Sequence, residues 1–124
     1  MQKQKTSQLR KLILQNLLII KIKNMTLNIQ SPNITLKQGI IDFLNQKLKM
    51  LSRRNNEITG VDVSFKIEKS STNENKLCEI RLIIPGYDLM ASAQCKTFEA
   101  AIAETSEALE RQIEKRKTKQ LNVM

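Results

Sequence analysis

Between residues 25 and 95 apolar side chains recur at every second position in four separate runs, with a stretch of helical spacing set among them. In the first run Met25, Leu27 and Ile29 alternate with Thr26, Asn28 and Gln30, which describes a half-buried strand that stops at Ser31-Pro32-Asn33. Val61, Val63, Phe65 and Ile67 share one face of the second run, opposite Asp62, Ser64, Lys66 and Glu68. After a polar turn over 70–75 come Cys78, Ile80, Leu82 and Ile84, then a turn at Pro85-Gly86, then Leu89, Ala91, Ala93 and Cys95. Between the first and second runs, Thr35-Leu36-Lys37-Gln38 has the spacing of a capping box. Leu36, Ile40, Phe43, Leu44, Leu48 and Leu51 follow at helical spacing to about Arg54. Thr97 is placed to cap a last helix with the stripe Phe98, Ala101 or Ile102, Thr105, Leu109 and Ile113.

The order β-α-β-β-β-α with one apolar face per strand predicts an α+β two-layer sandwich, a four-stranded mixed sheet with both helices on one face. The first strand reaches the second through a helix, so the two pair parallel by a right-handed crossover if they are adjacent. The short turns that follow make the other pairings antiparallel. Strand directions then fix helix directions: both helices run the same way, and their C-terminal ends meet at one pole. The first helix ends with Lys47, Lys49, Arg53 and Arg54. The second carries Glu99, Glu104, Glu107 and Glu110, then Arg111, Lys115, Arg116, Lys117 and Lys119. Complementing two helix dipoles, at roughly 0.3–1 kcal/mol per cation, accounts for two or three of these cations but not for about nine. Such a pole suits phosphate.

Charge and composition narrow the function further. The net charge is +9, from 21 Lys plus Arg against 12 Asp plus Glu. Residues 1–24 hold six basic residues and no acid, so 25–124 carries only +3. The apolar stretch of 1–24, from Leu12 to Ile20, is interrupted by Gln15 and Asn16 and is too short for a transmembrane helix. It is followed by Lys21-Ile22-Lys23-Asn24 where a signal peptidase site needs small residues. This extension is expected to be disordered or a loosely attached helix, dispensable for folding, or upstream codons before a start at Met25. The domain proper is expected over 25–119, with 120–124 a tail.

The absence of His excludes His-based triads and Cys/His zinc sites, and two Cys are too few for a disulfide framework or a four-Cys metal site. Cys78 is expected opposite Cys95 if residues 85–88 form a four-residue loop, or opposite Ala93 if Pro85-Gly86 turns tightly; either way both thiols are buried and free. Glu68 and Glu79 lie on solvated strand faces beside Lys66 and Arg81, where cross-strand ion pairs are a better explanation than catalysis. The three Gly, at 39, 60 and 86, are too scattered for a phosphate loop. No catalysis, cofactor, metal or small-molecule substrate is expected. Phe43, Phe65 and Phe98 fall on core stripes, leaving Tyr87 as the aromatic with a claim to exposure, too little for a reader of single strands by stacking.

The element order, with Ala91-Ser92-Ala93, Ala100-Ala101-Ile102, Leu109-Glu110-Arg111-Gln112-Ile113 and Lys115-Arg116-Lys117, resembles the short ribosome hibernation-promoting factors, once labelled sigma-54 modulation proteins. Met25-Thr26-Leu27-Asn28-Ile29 is similar to that family's N-terminus, Lys47 falls on its basic position in the first helix, and Lys66 with Glu68 on its Lys-x-Glu. Met50-Leu51, Ala103 and Phe98-Glu99 depart from the usual residues, and Lys49 stands where it can replace the charge missing at Met50. The longer members carry a second, dimerising domain, for which this chain is expected to have no room.

The resemblance implies a fold similar to the double-stranded RNA-binding domain and binding to the small ribosomal subunit, through 16S rRNA, along the mRNA channel over the A and P sites of the 70S ribosome. It implies exclusion of tRNA and mRNA and silencing of translation in stress or stationary phase, in the cytoplasm, by a protein monomeric when free. The residues expected to touch RNA are Lys47, Lys49, Arg53, Arg54, Arg111, Lys115, Arg116 and Lys117. Lys66 and Arg81, on the open face of the sheet, rank behind them. The alternatives are a general binder of structured RNA and, further off, a membrane-surface protein anchored through 1–24.

Overall fold

The in-phase alternation of the strands builds continuous apolar rows across a sheet. A computed structural model of the protein describes residues 17–22, 25–69 and 71–123. Its elements are β1 (Leu17–Ile22), β2 (Met25–Gln30), α1 (Gln38–Arg54), β3 (Gly60–Ile67), β4 (Lys76–Ile84), β5 (Tyr87–Cys95) and α2 (Phe98–Val123). The sheet is ordered β1-β2-β3-β4-β5. β2 and β3 pair parallel and the other neighbours antiparallel. Leu27, Val61, Leu82 and Leu89 stand in one row, and Ile29, Val63, Ile80 and Ala91 in the next. Over these rows lie Ile41, Leu44, Leu48 and Leu51 of α1 and Phe98, Ala101, Ile102, Leu109 and Ile113 of α2, all buried. The Phe65 and Phe98 rings meet edge to face at 5.3 Å.

β2, β3, β4 and β5 with the two helices form the expected sandwich, and the N-terminal edge differs. Leu17–Ile22 pairs antiparallel with β2, Leu18 against Ile29 and Ile20 against Leu27, so the sheet has five strands. The expectation that the extension is disordered or a loosely attached helix is therefore corrected for 17–22. An apolar, Ile-rich run satisfies the outer backbone groups of β2, which would otherwise be a bare edge. Residues 1–16 lie outside the described residues. At the other end α2 continues to Val123, past the expected boundary at 119.

Several local expectations resolve in detail. The capping box is not made: α1 begins after Lys37, which has extended backbone and no side-chain cap, and Gln38 Nε2 donates instead to Asp42 Oδ1 at 2.9 Å. Thr97 does cap α2, its Oγ1 accepting from Ala100 N–H at 3.1 Å. Ile84 pairs with Tyr87, so the turn is the tight Pro-Gly one, with Gly86 at φ +88°, a region L side chains avoid. That register sets Cys78 opposite Ala93 and Cys95 opposite Lys76, with both cysteines free and buried. Ile67, expected on the inner face, is 55% exposed at the end of β3.

Candidate RNA interface at the helix C-terminal ends

The pole is assembled by the residues that end α1 and turn β4 into β5. Asn55 caps α1, its N–H bonding Leu51 O at 3.1 Å. Its side-chain Oδ1 accepts from Glu57 N–H at 2.9 Å, and its Nδ2 donates to the Tyr87 hydroxyl at 3.4 Å. Tyr87 follows the Pro85-Gly86 turn and is half-buried. On α2, Gln112 Nε2 donates to Met90 O at 3.0 Å, which ties that side of the helix to β5. One turn on, Arg116 therefore falls on the Tyr87 ring, its guanidinium carbon 3.4 Å from the centroid. Glu110 and Glu114 face the end of α1, where Arg54 reaches them at 3.7 and 3.1 Å. The two helices thus run side by side in the same direction, as the strand order requires.

Arg53, Arg54, Arg116 and Lys117 line one concavity of about 320 Å3 together with Asn55, Asn56, Glu57 and Tyr87. These are four of the eight expected cations. Lys49 lines a neighbouring hollow with Arg53, Asp42 and Gln46. Lys47 is half-buried along α1, its ammonium 5.3 Å from the Phe43 ring, and does not line the concavity. Arg111 and Lys115 are exposed on α2 outside it. Acids reach the pole that the sequence pattern placed elsewhere or passed over: Glu110 and Glu114 pair with Arg54, and Glu57 lines the rim. Arg54 is thereby opposed by two carboxylates, while Arg53, Arg116 and Lys117 form no ion pair among the described residues.

The open face of the sheet is different. A concavity there of about 540 Å3 is lined by Asn28, Asp62, Ser64, Glu79, Arg81 and Met90, among others. Arg81 is held by Asp88, with Nε donating to Oδ2 at 2.9 Å, and this bond raises the guanidinium pKa. Its partner is Asp88 on the diagonal of β5, not Glu79 on its own strand. Lys66 is exposed near the end of β3. The structure does not bring Lys66 and Arg81 to the pole. Asn55, Asn56 and Tyr87 were missed as site residues, although Asn55-Asn56 as a helix stop and Tyr87 as a turn aromatic were the available signals. Among the described residues no group of three or more Cys, Asp or Glu is placed to hold a metal, and no helix is long and apolar enough to cross a membrane.

Comparison with known proteins gives consistent findings. A family profile described as sigma 54 modulation protein / S30EA ribosomal protein matches residues 27–121. A ribosome hibernation promoting factor from Pseudomonas putida is 31% identical over 100 residues, covering 81% of this chain and 94% of that protein. Among solved structures, a ribosomal subunit interface protein from Coxiella burnetii superposes with a TM-score of 0.65 at 17% identity, over 74% of this chain and 97% of that one. The N-terminal domain of Thermus thermophilus Protein Y does so with a TM-score of 0.61 at 21% identity, again over 74% and 97%.

Proposed function

From the premise that this chain belongs to the sigma 54 modulation protein / S30EA ribosomal protein family, we propose that it is a ribosome hibernation factor. In this reading it binds the small subunit in the mRNA channel over the A and P sites and excludes tRNA and mRNA from the 70S ribosome. It silences translation by occupancy, without catalysis, as a cytoplasmic monomer. The observation that carries the reading beyond the family is the concavity where α1 ends beside α2, with Arg53, Arg116 and Lys117 presented together. Cations converging from two helices engage several phosphates of one folded RNA at once, and structured RNA is met by backbone contacts and shape.

Co-sedimentation with purified small subunits over a range of salt tests this. Changing Arg111, Lys115 and Lys117 to Glu is expected to weaken binding and flatten the slope of log affinity against log salt, by roughly 0.7–0.9 for each phosphate no longer neutralised. The matched control makes the same three charge reversals at Lys69 and Lys76, which flank the turn between β3 and β4, and at Lys96, which follows β5. Equal losses in pole and control variants would show that net charge, not this site, drives binding. Equal affinity for an unrelated RNA duplex would favour a general binder of structured RNA.

A further inference from the structure

We infer that Arg116, held flat by Tyr87, is a stacking platform for one unpaired RNA nucleotide within the basic concavity, a reading that rests on the RNA-binding function above. The guanidinium carbon lies at van der Waals distance over the ring, 3.4 Å from its centroid, and Arg116 is exposed. The ring is itself fixed, by the Pro85-Gly86 turn before it and by the Asn55 amide on its hydroxyl. A guanidinium plane is a surface on which bases stack, and one already ordered by a ring loses little freedom when a base arrives.

The surroundings complete a nucleotide's requirements. Arg53 and Lys117 flank the platform for the phosphates, since Arg54 is engaged by Glu110 and Glu114. Asn56 stands exposed at the rim with both donors and an acceptor for a base edge. At about 320 Å3 the concavity is at the small end of ligand sites, the scale of a single nucleotide. Paired bases in a duplex offer no free face, so the occupant is an unpaired nucleotide of a folded RNA. The chain thus reads single-stranded RNA at one point, where its low aromatic content had argued against stacking altogether.

The test uses the chain's single Tyr and lack of Trp, which make intrinsic fluorescence a report on this site alone. The full-length protein is titrated with a single-stranded RNA hexamer, the blunt duplex of the same sequence, and adenosine monophosphate. Arg116→Lys keeps the charge but removes the plane; Tyr87→Phe keeps the ring. The hexamer is expected to change Tyr87 emission and to bind Arg116→Lys roughly tenfold more weakly than wild type, with an unchanged salt slope. Tyr87→Phe, which keeps the ring but lacks the fluorophore and the Asn55 bond and is followed by anisotropy of labelled hexamer, should bind more tightly than Arg116→Lys. The duplex should not distinguish wild type from Arg116→Lys. Equal hexamer affinity in wild type and Arg116→Lys overturns the platform, and so does adenosine monophosphate binding as tightly as the hexamer, which would make this a free-nucleotide site. If the Arg111, Lys115 and Lys117 reversal leaves small-subunit binding intact, the parent reading fails instead. If that reversal weakens binding and Arg116→Lys does not, only the platform fails.

Discussion

The Cys78 thiol has no exposed surface, and burial pushes its pKa from 9.0 up to about 12, partly opposed by the Thr105 hydroxyl and reinforced by Cys95 and Glu79. The folded chain therefore keeps a proton that the unfolded chain gives up. The resulting stability is whole below pH 9.0 and is lost as pH rises through the folded value near 12. Thermal melts across this window should show wild type losing stability faster than Cys78→Ala. Native thiol labelling should modify Cys95, which keeps 8% of its surface and has a pKa raised chiefly by burial, before Cys78. At Phe65, fully buried and edge-on to Phe98, truncation to Ala should cost ~3–5 kcal/mol by chemical denaturation, a large part of the ~5–15 kcal/mol typical of a domain. Most such core positions were legible because alternation by two and recurrence by three or four each name a face. The exceptions have local causes. Ile40 and Ile41 are adjacent apolar residues, and helical spacing alone admits either one; the structure buries Ile41 and leaves Ile40 partly covered. Ile67 satisfies the alternation of β3 but stands at its end, beyond the cover of the helices.

At the scale of elements, the direction of both helices was legible because short turns fix strand directions and each helix must return along the sheet. β1 was not. Its sequence Leu-Leu-Ile-Ile does not alternate and lies among basic residues, so only the vacant edge of β2, a tertiary fact, selects a strand there. A protein beginning at Met25 should accordingly melt lower by more than a few degrees, about 1 kcal/mol or more for a domain of this size. Amide exchange should rise in the half of the β2 N–H groups that face β1, and not in β4; unchanged exchange in β2 would mean that β1 contributes nothing to the edge. The contact between helix ends gives a second expectation. Arg54 bridges α1 to the half-buried Glu110 and the exposed Glu114 near the surface, where such pairs contribute about 0–1 kcal/mol. Arg54→Ala should therefore barely alter stability, yet it leaves two carboxylates unopposed at the pole. Small-subunit affinity should fall further than after Lys115→Ala, which removes one cation and releases no acid. Equal losses would show that Glu110 and Glu114 are too far from the RNA to be felt.

Across the whole molecule, charge is partitioned by the sandwich itself. The helix layer ends in a cluster of cations, whereas the open face of the sheet sets Asp62, Glu79 and Asp88 around a single engaged Arg81. Counting residues in sequence overstated the pole, because Glu110 counts with the earlier turns of α2 only until the level of Arg54 on the neighbouring helix is known, and Glu114 was passed over. Alternation placed Lys66 and Arg81 on the face the helices leave bare, and the structure has them there. The two faces make opposite predictions for equal charge changes. Arg53→Gln with Lys117→Gln removes two cations from the concavity, and should flatten the log–log salt dependence of small-subunit binding by about 1.4–1.8. Lys66→Gln with Arg81→Gln removes two from the sheet face and should leave that slope unchanged, because Arg81 is already opposed by Asp88. Long-range attraction between a cationic protein and RNA depends on total charge and falls off over a Debye length of about 8 Å at physiological salt. The two doubly substituted proteins carry the same total charge. A difference in slope between them reports contact at the pole, and identical slopes would mean that the sheet face meets the RNA as closely as the helix ends do.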